Sequence, residues 1–204
     1  MNATGPAHVH RDDAGTRMGM WLFLFTELIL FGGLFIVYAV YRFKHPLEFS
    51  LAAKDLDTLV GTVNTIILLT SSLTVAMSVT AIQDGRKRLS LILLAVTVLL
   101  ALAFLVNKYF EWGHKIRMGI YPKSPALLAM PPGEVLYFGL YYVMTGLHAL
   151  HVIVGMVILL VMMRAIASGK IDRSSHVRLE AGGLYWHLVD IIWIFLFPLF
   201  YLIH

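Results

Sequence analysis

Cysteine is absent from the 204 residues. That removes disulfides, thiolate zinc sites, iron–sulfur clusters and thiolate-ligated copper, so any metal held here would have to use histidine and carboxylate. Charge is scarce too. Asp, Glu, Lys and Arg make up 14% of the chain against 59% hydrophobic residues; with a mean hydropathy of +0.78, this excludes an ordinary soluble protein and points to an integral membrane protein. The first 17 residues, which include His8, His10, Arg11, Asp12 and Asp13, lack an apolar core. Residues 1–17 therefore read as a polar tail and not as a cleavable signal peptide. The sequence pI of about 9.4 would suggest nucleic acid for a soluble protein. Here the lysines and arginines fall mostly at the ends of apolar runs, where they act as topology signals, and no nucleic-acid partner is expected.

Five apolar runs fill residues 18–204, at about 18–41, 59–82, 89–107, 135–163 and 184–203. They are too long and continuous for barrel strands, so the expected fold is all-α: one domain of five transmembrane helices. An odd number of spans puts the termini on opposite sides. The side holding the N-terminus carries nine Lys and Arg residues and the other side six, which places the N-terminus in the cytoplasm and the C-terminus outside.

Polar residues inside these runs are costly and need a purpose. Asn64, Ser71 and Ser78 recur at sevens in the second run, a small polar stripe suited to close packing on another helix. Its packing on a partner protein, within a stable complex, is expected. Glu27 is the tenth residue of the first run, about 13.5 Å in at the helical rise of roughly 1.5 Å per residue. A carboxyl at that depth is either a neutral packing group or a group on a proton-entry route. Lys108 with Glu111, and Glu111 with Lys115, stand at helical ion-pair spacings and read as an interfacial anchor. Thr145, His148, His151 and Gly155 fall roughly on one helix face. His187 and Asp190 are one turn apart, so Asp190 is placed to hold His187 in one tautomer, or both to meet another helix or a lipid headgroup. His148 and His151 on one helix cannot ligate opposite faces of one haem. A haem held by His148 and His187 would be possible, but the pattern of a two-haem bundle, widely spaced histidines on each of two helices, is missing.

The segments Thr145-Gly-Leu-His-Ala-Leu-His-Val-Ile-Val-Gly155 and Tyr185-Trp-His-Leu-Val-Asp-Ile-Ile-Trp-Ile-Phe195 together resemble the signature of subunit III of the haem-copper terminal oxidases. Phe25-Thr26-Glu27-Leu-Ile-Leu-Phe31, Asn64-Thr65 and Lys108-Tyr109-Phe110-Glu111-Trp112 agree with it. The resemblance runs from Gly19 to Tyr201 and is to the five-span form, which lacks the two N-terminal helices of longer members.

The resemblance implies a non-catalytic subunit of a proton-pumping oxidase in the inner (plasma) membrane of a prokaryote. It would pack directly on subunit I beside the other oxidase subunits, with haem and copper in those partners, none in this chain, and no metal site. It implies support of proton uptake, binding of phospholipid, and protection of subunit I during turnover. Carried over by motif, Glu27 is the buried carboxyl near the proton-uptake side. His148, His151, His187, Asp190 and Glu111 form a lipid-binding or structural polar set, and Asn64, Ser71, Ser78, Thr145 and Gly155 serve helix packing. Glu27 and the Lys108 to Trp112 set resemble the branch oxidising cytochrome c more than the quinol branch; a quinol oxidase or a nitric oxide reductase-associated homologue is the alternative. Two readings of other classes are a membrane cytochrome, which would show a Soret band, and a secondary transporter, which would show repeats or broken helices. The Gly32-Gly33 pair is the one candidate break noted.

Overall fold

The computed structural model describes residues 13–173 and 175–203, and the tail histidines His8 and His10 lie outside them. The described residues are helical and contain no strand: α1 (Asp13–Lys44), α2 (Pro46–Ala53), α3 (Thr58–Gln83), α4 (Lys87–Arg117), α5 (Pro125–Leu128), α6 (Pro132–Ala167) and α7 (Val177–Tyr201). Five of them, α1, α3, α4, α6 and α7, are long and apolar enough to cross a membrane.

Helix ends follow local chemistry more than hydropathy. Asp57 caps α3 by accepting from the backbone N–H of Leu59 at 2.9 Å and of Val60 at 3.3 Å. At its other end Gly85 takes φ +79°, its N–H bonds to Ile82 O and that of Arg86 to Ala81 O, the Schellman pattern that needs a residue in the left-handed region. Gly119 ends α4 in the same way. Pro131 and Pro132 open α6, where missing backbone N–H groups cost nothing. Two boundaries differ clearly from expectation. The third span was expected to end near 107, yet α4 continues to Arg117; the fifth was expected from 184, yet α7 begins at Val177. The apolar run of α4 stops where charges begin, but the helix continues through Lys108, Glu111 and Lys115, which find partners within the fold.

α3, α4, α6 and α7 close into a ring, each packing on the next in the order α3, α4, α6, α7 and back to α3. α1 lies outside the ring against α6 and α7, and α2 folds onto α6. Phe49 of α2 fixes that fold, meeting Tyr38 and Tyr137 edge to face at 5.5 and 5.4 Å. The Gly32-Gly33 pair makes no break, since α1 runs through it. The span that does contain a helix breaker is α7, with Pro198 three residues from its end, where the freed backbone bond belongs to the last turn.

Candidate functional site

Asn64, Ser71 and Ser78 are fully buried, but within this chain and not on a partner. Asn107 Nδ2 donates to Asn64 Oδ1 at 2.9 Å, the Ser78 and Ser90 hydroxyls share a bond of 2.7 Å, and Trp186 Nε1 donates to Ser71 Oγ at 3.0 Å. The stripe thus joins α3 to α4 and α7, and it carries no argument for a complex. Gly155 admits Trp186 and Tyr185 against α6: a Cβ there would stand 2.8 Å from the Trp186 ring. Thr145 is buried and returns its hydroxyl to Tyr141 O at 2.6 Å.

His148 and His151 part company. Three residues turn a helix by about 300°, leaving side chains some 60° apart, and here that is enough to separate them. His148 is fully buried, its ring against Phe104 at 5.6 Å and Trp193 at 5.2 Å, and neither ring nitrogen has a hydrogen-bond partner. His151 faces α1 instead, where its Nε2 lies 2.8 Å from Glu27 Oε2, both side chains 13% exposed. Its Nδ1 lies 2.8 Å from Leu147 O, a carbonyl that only accepts, so Nδ1 carries a hydrogen. Two arrangements remain: neutral Glu27 donating to a neutral ring, or a carboxylate accepting from an imidazolium. Either way one proton sits between Oε2 and Nε2. Tyr185 Oη closes the site by donating to His151 O at 3.1 Å.

The Lys108 group is no interfacial anchor. Lys108 is 3% exposed, and its Nζ donates to Tyr201 Oη at 2.9 Å and Tyr141 Oη at 3.1 Å and lies 3.2 Å from Glu111 Oε2. Both tyrosines donate to Glu111 Oε1 at 2.5 Å. The charge pair, expected as an interfacial anchor, is instead enclosed by hydroxyls from α6 and α7 that take two of the ammonium's three donors, with the Glu111 carboxylate beside it. Lys115 is buried as well, donating to the Asp55 carbonyl. Sequence reasoning missed Tyr141 and Tyr201, because a tyrosine in an apolar run looks like any membrane aromatic.

His187 and Asp190 also separate. His187 Nδ1 bonds to Ser72 Oγ of α3 at 2.6 Å, whereas Asp190 is buried and neither oxygen makes a hydrogen bond. Ser72 stands beside Asp190, but its hydrogen bond runs to the imidazole. Asp190 therefore does not set the His187 tautomer directly. Among the described residues no three His, Asp or Glu side chains converge as a metal site would require.

Residues 2–204 match the family model for cytochrome c oxidase subunit III. Cytochrome c oxidase subunit 3 of Synechocystis sp. is 34% identical over 98% of this chain and 81% of its own length. Cytochrome bo(3) ubiquinol oxidase subunit 3 of Pseudomonas aeruginosa is 33% identical over 97% of this chain and 90% of its own. A third relative, the haem-copper oxidase subunit I+III of Aeropyrum pernix, is 33% identical over 92% of this chain and 22% of its own.

Proposed function

Since the chain belongs to the cytochrome c oxidase subunit III family, and so is a multi-pass membrane subunit of a haem-copper oxidase, we propose that it serves that oxidoreductase complex without catalysing its reaction. It packs on subunit I in the plasma membrane of a prokaryote, N-terminus in the cytoplasm, and binds neither haem nor copper. The complex reduces oxygen to water, pumps protons and draws electrons from cytochrome c. The Pseudomonas aeruginosa relative, nearly as similar as the Synechocystis one, supports a quinol donor as the second reading.

The observation that carries the proton-uptake role is the Glu27 to His151 contact at 2.8 Å. A carboxyl and an imidazole with one proton between them, midway along α1 and α6, form a neutral unit in which that proton can shift between Oε2 and Nε2 without leaving a net charge in the membrane. The remaining polar residues serve the bundle itself: Glu111 joins helices through Tyr141 and Tyr201 and His187 through Ser72, with His148 and Asp190 packed inside it.

Purification of the complex from its native membrane tests the whole reading. A tagged chain should bring down a subunit with haem and copper, and oxygen uptake with reduced cytochrome c should exceed that with quinol. A hydrophobic carbodiimide, which attacks protonated carboxyls, should label Glu27 in preference to the solvated Asp57. Recovery of a folded monomer without oxidase subunits would overturn the proposal.

A further inference from the structure

We propose that the groove between α3 and α7 is the seat for one transmembrane helix of the catalytic subunit, and that this helix carries a hydrogen-bonding side chain at the level of His187. The inference rests on the accessory reading above and adds the surface and the chemistry of its partner.

His187 is the eleventh residue of α7, about 15 Å from the helix start by the rise per residue. It is half-buried, with Nδ1 tied at 2.6 Å to Ser72, the fourteenth residue of the apolar run 59–82, and Nε2 without a hydrogen bond among the described residues. Acyl chains offer no donor or acceptor there, and intramembrane histidines face protein or a wet cavity. Lipid is therefore a poor cover for this surface.

Next to the imidazole lies a cavity of about 370 Å³ lined by Ala76, Val79, Glu180, Gly183, Leu184 and His187. Gly183 lines it and also lets α7 approach α3 closely, since a Cβ there would meet Val75 at 3.3 Å and Val79 at 3.7 Å. Gln83 Nε2 donates to Glu180 Oε1 of the lining at 3.0 Å. Small residues beside an unmet polar group are what a packed membrane helix uses: they admit its side chains and then hydrogen-bond it. The outer face of α4 contrasts with this. Ile92, Leu99, Leu102 and Val106 are exposed there, a surface that suits lipid. Subunit I is the occupant assigned because the Aeropyrum pernix relative is named as subunits I and III in one polypeptide, which keeps the two sets of helices within reach of each other.

The test places a photoreactive benzophenone side chain at Leu184, on the groove rim, and in a second protein at Leu99, both in the assembled complex in native membranes. Leu184 should crosslink to subunit I and Leu99 to lipid alone. In parallel, His187→Leu should lower the amount of chain retained on tagged subunit I after detergent extraction at least about tenfold, with helix content unchanged, and His187→Asn should restore part of it. Subunit I recovered with the chain while Leu184 labels only lipid or another subunit would overturn the groove assignment alone. Retention unaffected by His187→Leu would overturn the polar contact. A chain that recovers no subunit I at all would remove the accessory reading as well.

Discussion

Glu27 of α1 and His151 of α6 meet at 2.8 Å across 124 residues of sequence, and because His151 Nδ1 is committed to Leu147 O, the contact holds one proton. It is also a side-chain tether between the ring and α1, the helix that lies outside it.

Glu27→Gln keeps that tether, since the amide N–H donates to Nε2 of the neutral ring; assembly should be unchanged while proton uptake slows or the working life of the enzyme shortens. Glu27→Leu leaves Nε2 unpaired and should cost about 1–3 kcal/mol, read as a lower unfolding temperature in detergent. Unchanged turnover, pumping and lifetime in Glu27→Gln would leave the pair a packing role only.

Lys108→Met strips the partner from a buried carboxylate and should destabilise the chain by about 3–5 kcal/mol. Adding Glu111→Gln removes the stranded charge, so the double variant should be more stable than Lys108→Met alone. A double-mutant cycle followed by thermal unfolding measures the coupling. Additive effects would show that the two groups do not interact as the 3.2 Å separation requires.

Gly155→Ala and Gly32→Ala make the same chemical change in opposite surroundings. The first drives a methyl into Trp186, whose indole holds Ser71, and should cost about 1–3 kcal/mol. The second meets nothing within 4 Å and should be neutral or stabilising by up to about 1 kcal/mol. Unfolding temperatures of the two variants, taken side by side, decide it.

His148→Ala, His151→Ala and His187→Ala should each leave haem and copper per subunit I unchanged, measured by pyridine haemochrome spectra and metal analysis. Loss of one haem equivalent in any of them would assign a cofactor to this chain.

The number and order of the spans were legible in the sequence, because every residue facing hydrocarbon must be apolar and every backbone group must be bonded within its own helix. Both constraints act along the chain, one segment at a time. The subunit III signature was legible for a related reason: its histidines, aspartate and glutamate stand out against an apolar background where each is costly. The same positions did not reveal their partners. His148 and His151 looked like one face, yet one is sealed against Phe104 and Trp193 and the other reaches Glu27. His187 chose Ser72 over its own helical neighbour Asp190, and the Lys108 group turned from a wet anchor into a buried knot only when Tyr141 and Tyr201 arrived from α6 and α7. Helical periodicity fixes which residues share a face to within about 60°, but not which neighbour that face meets. That was decided by the order of packing around the ring, which pairs helices far apart in sequence and satisfies each polar group from across a helix interface.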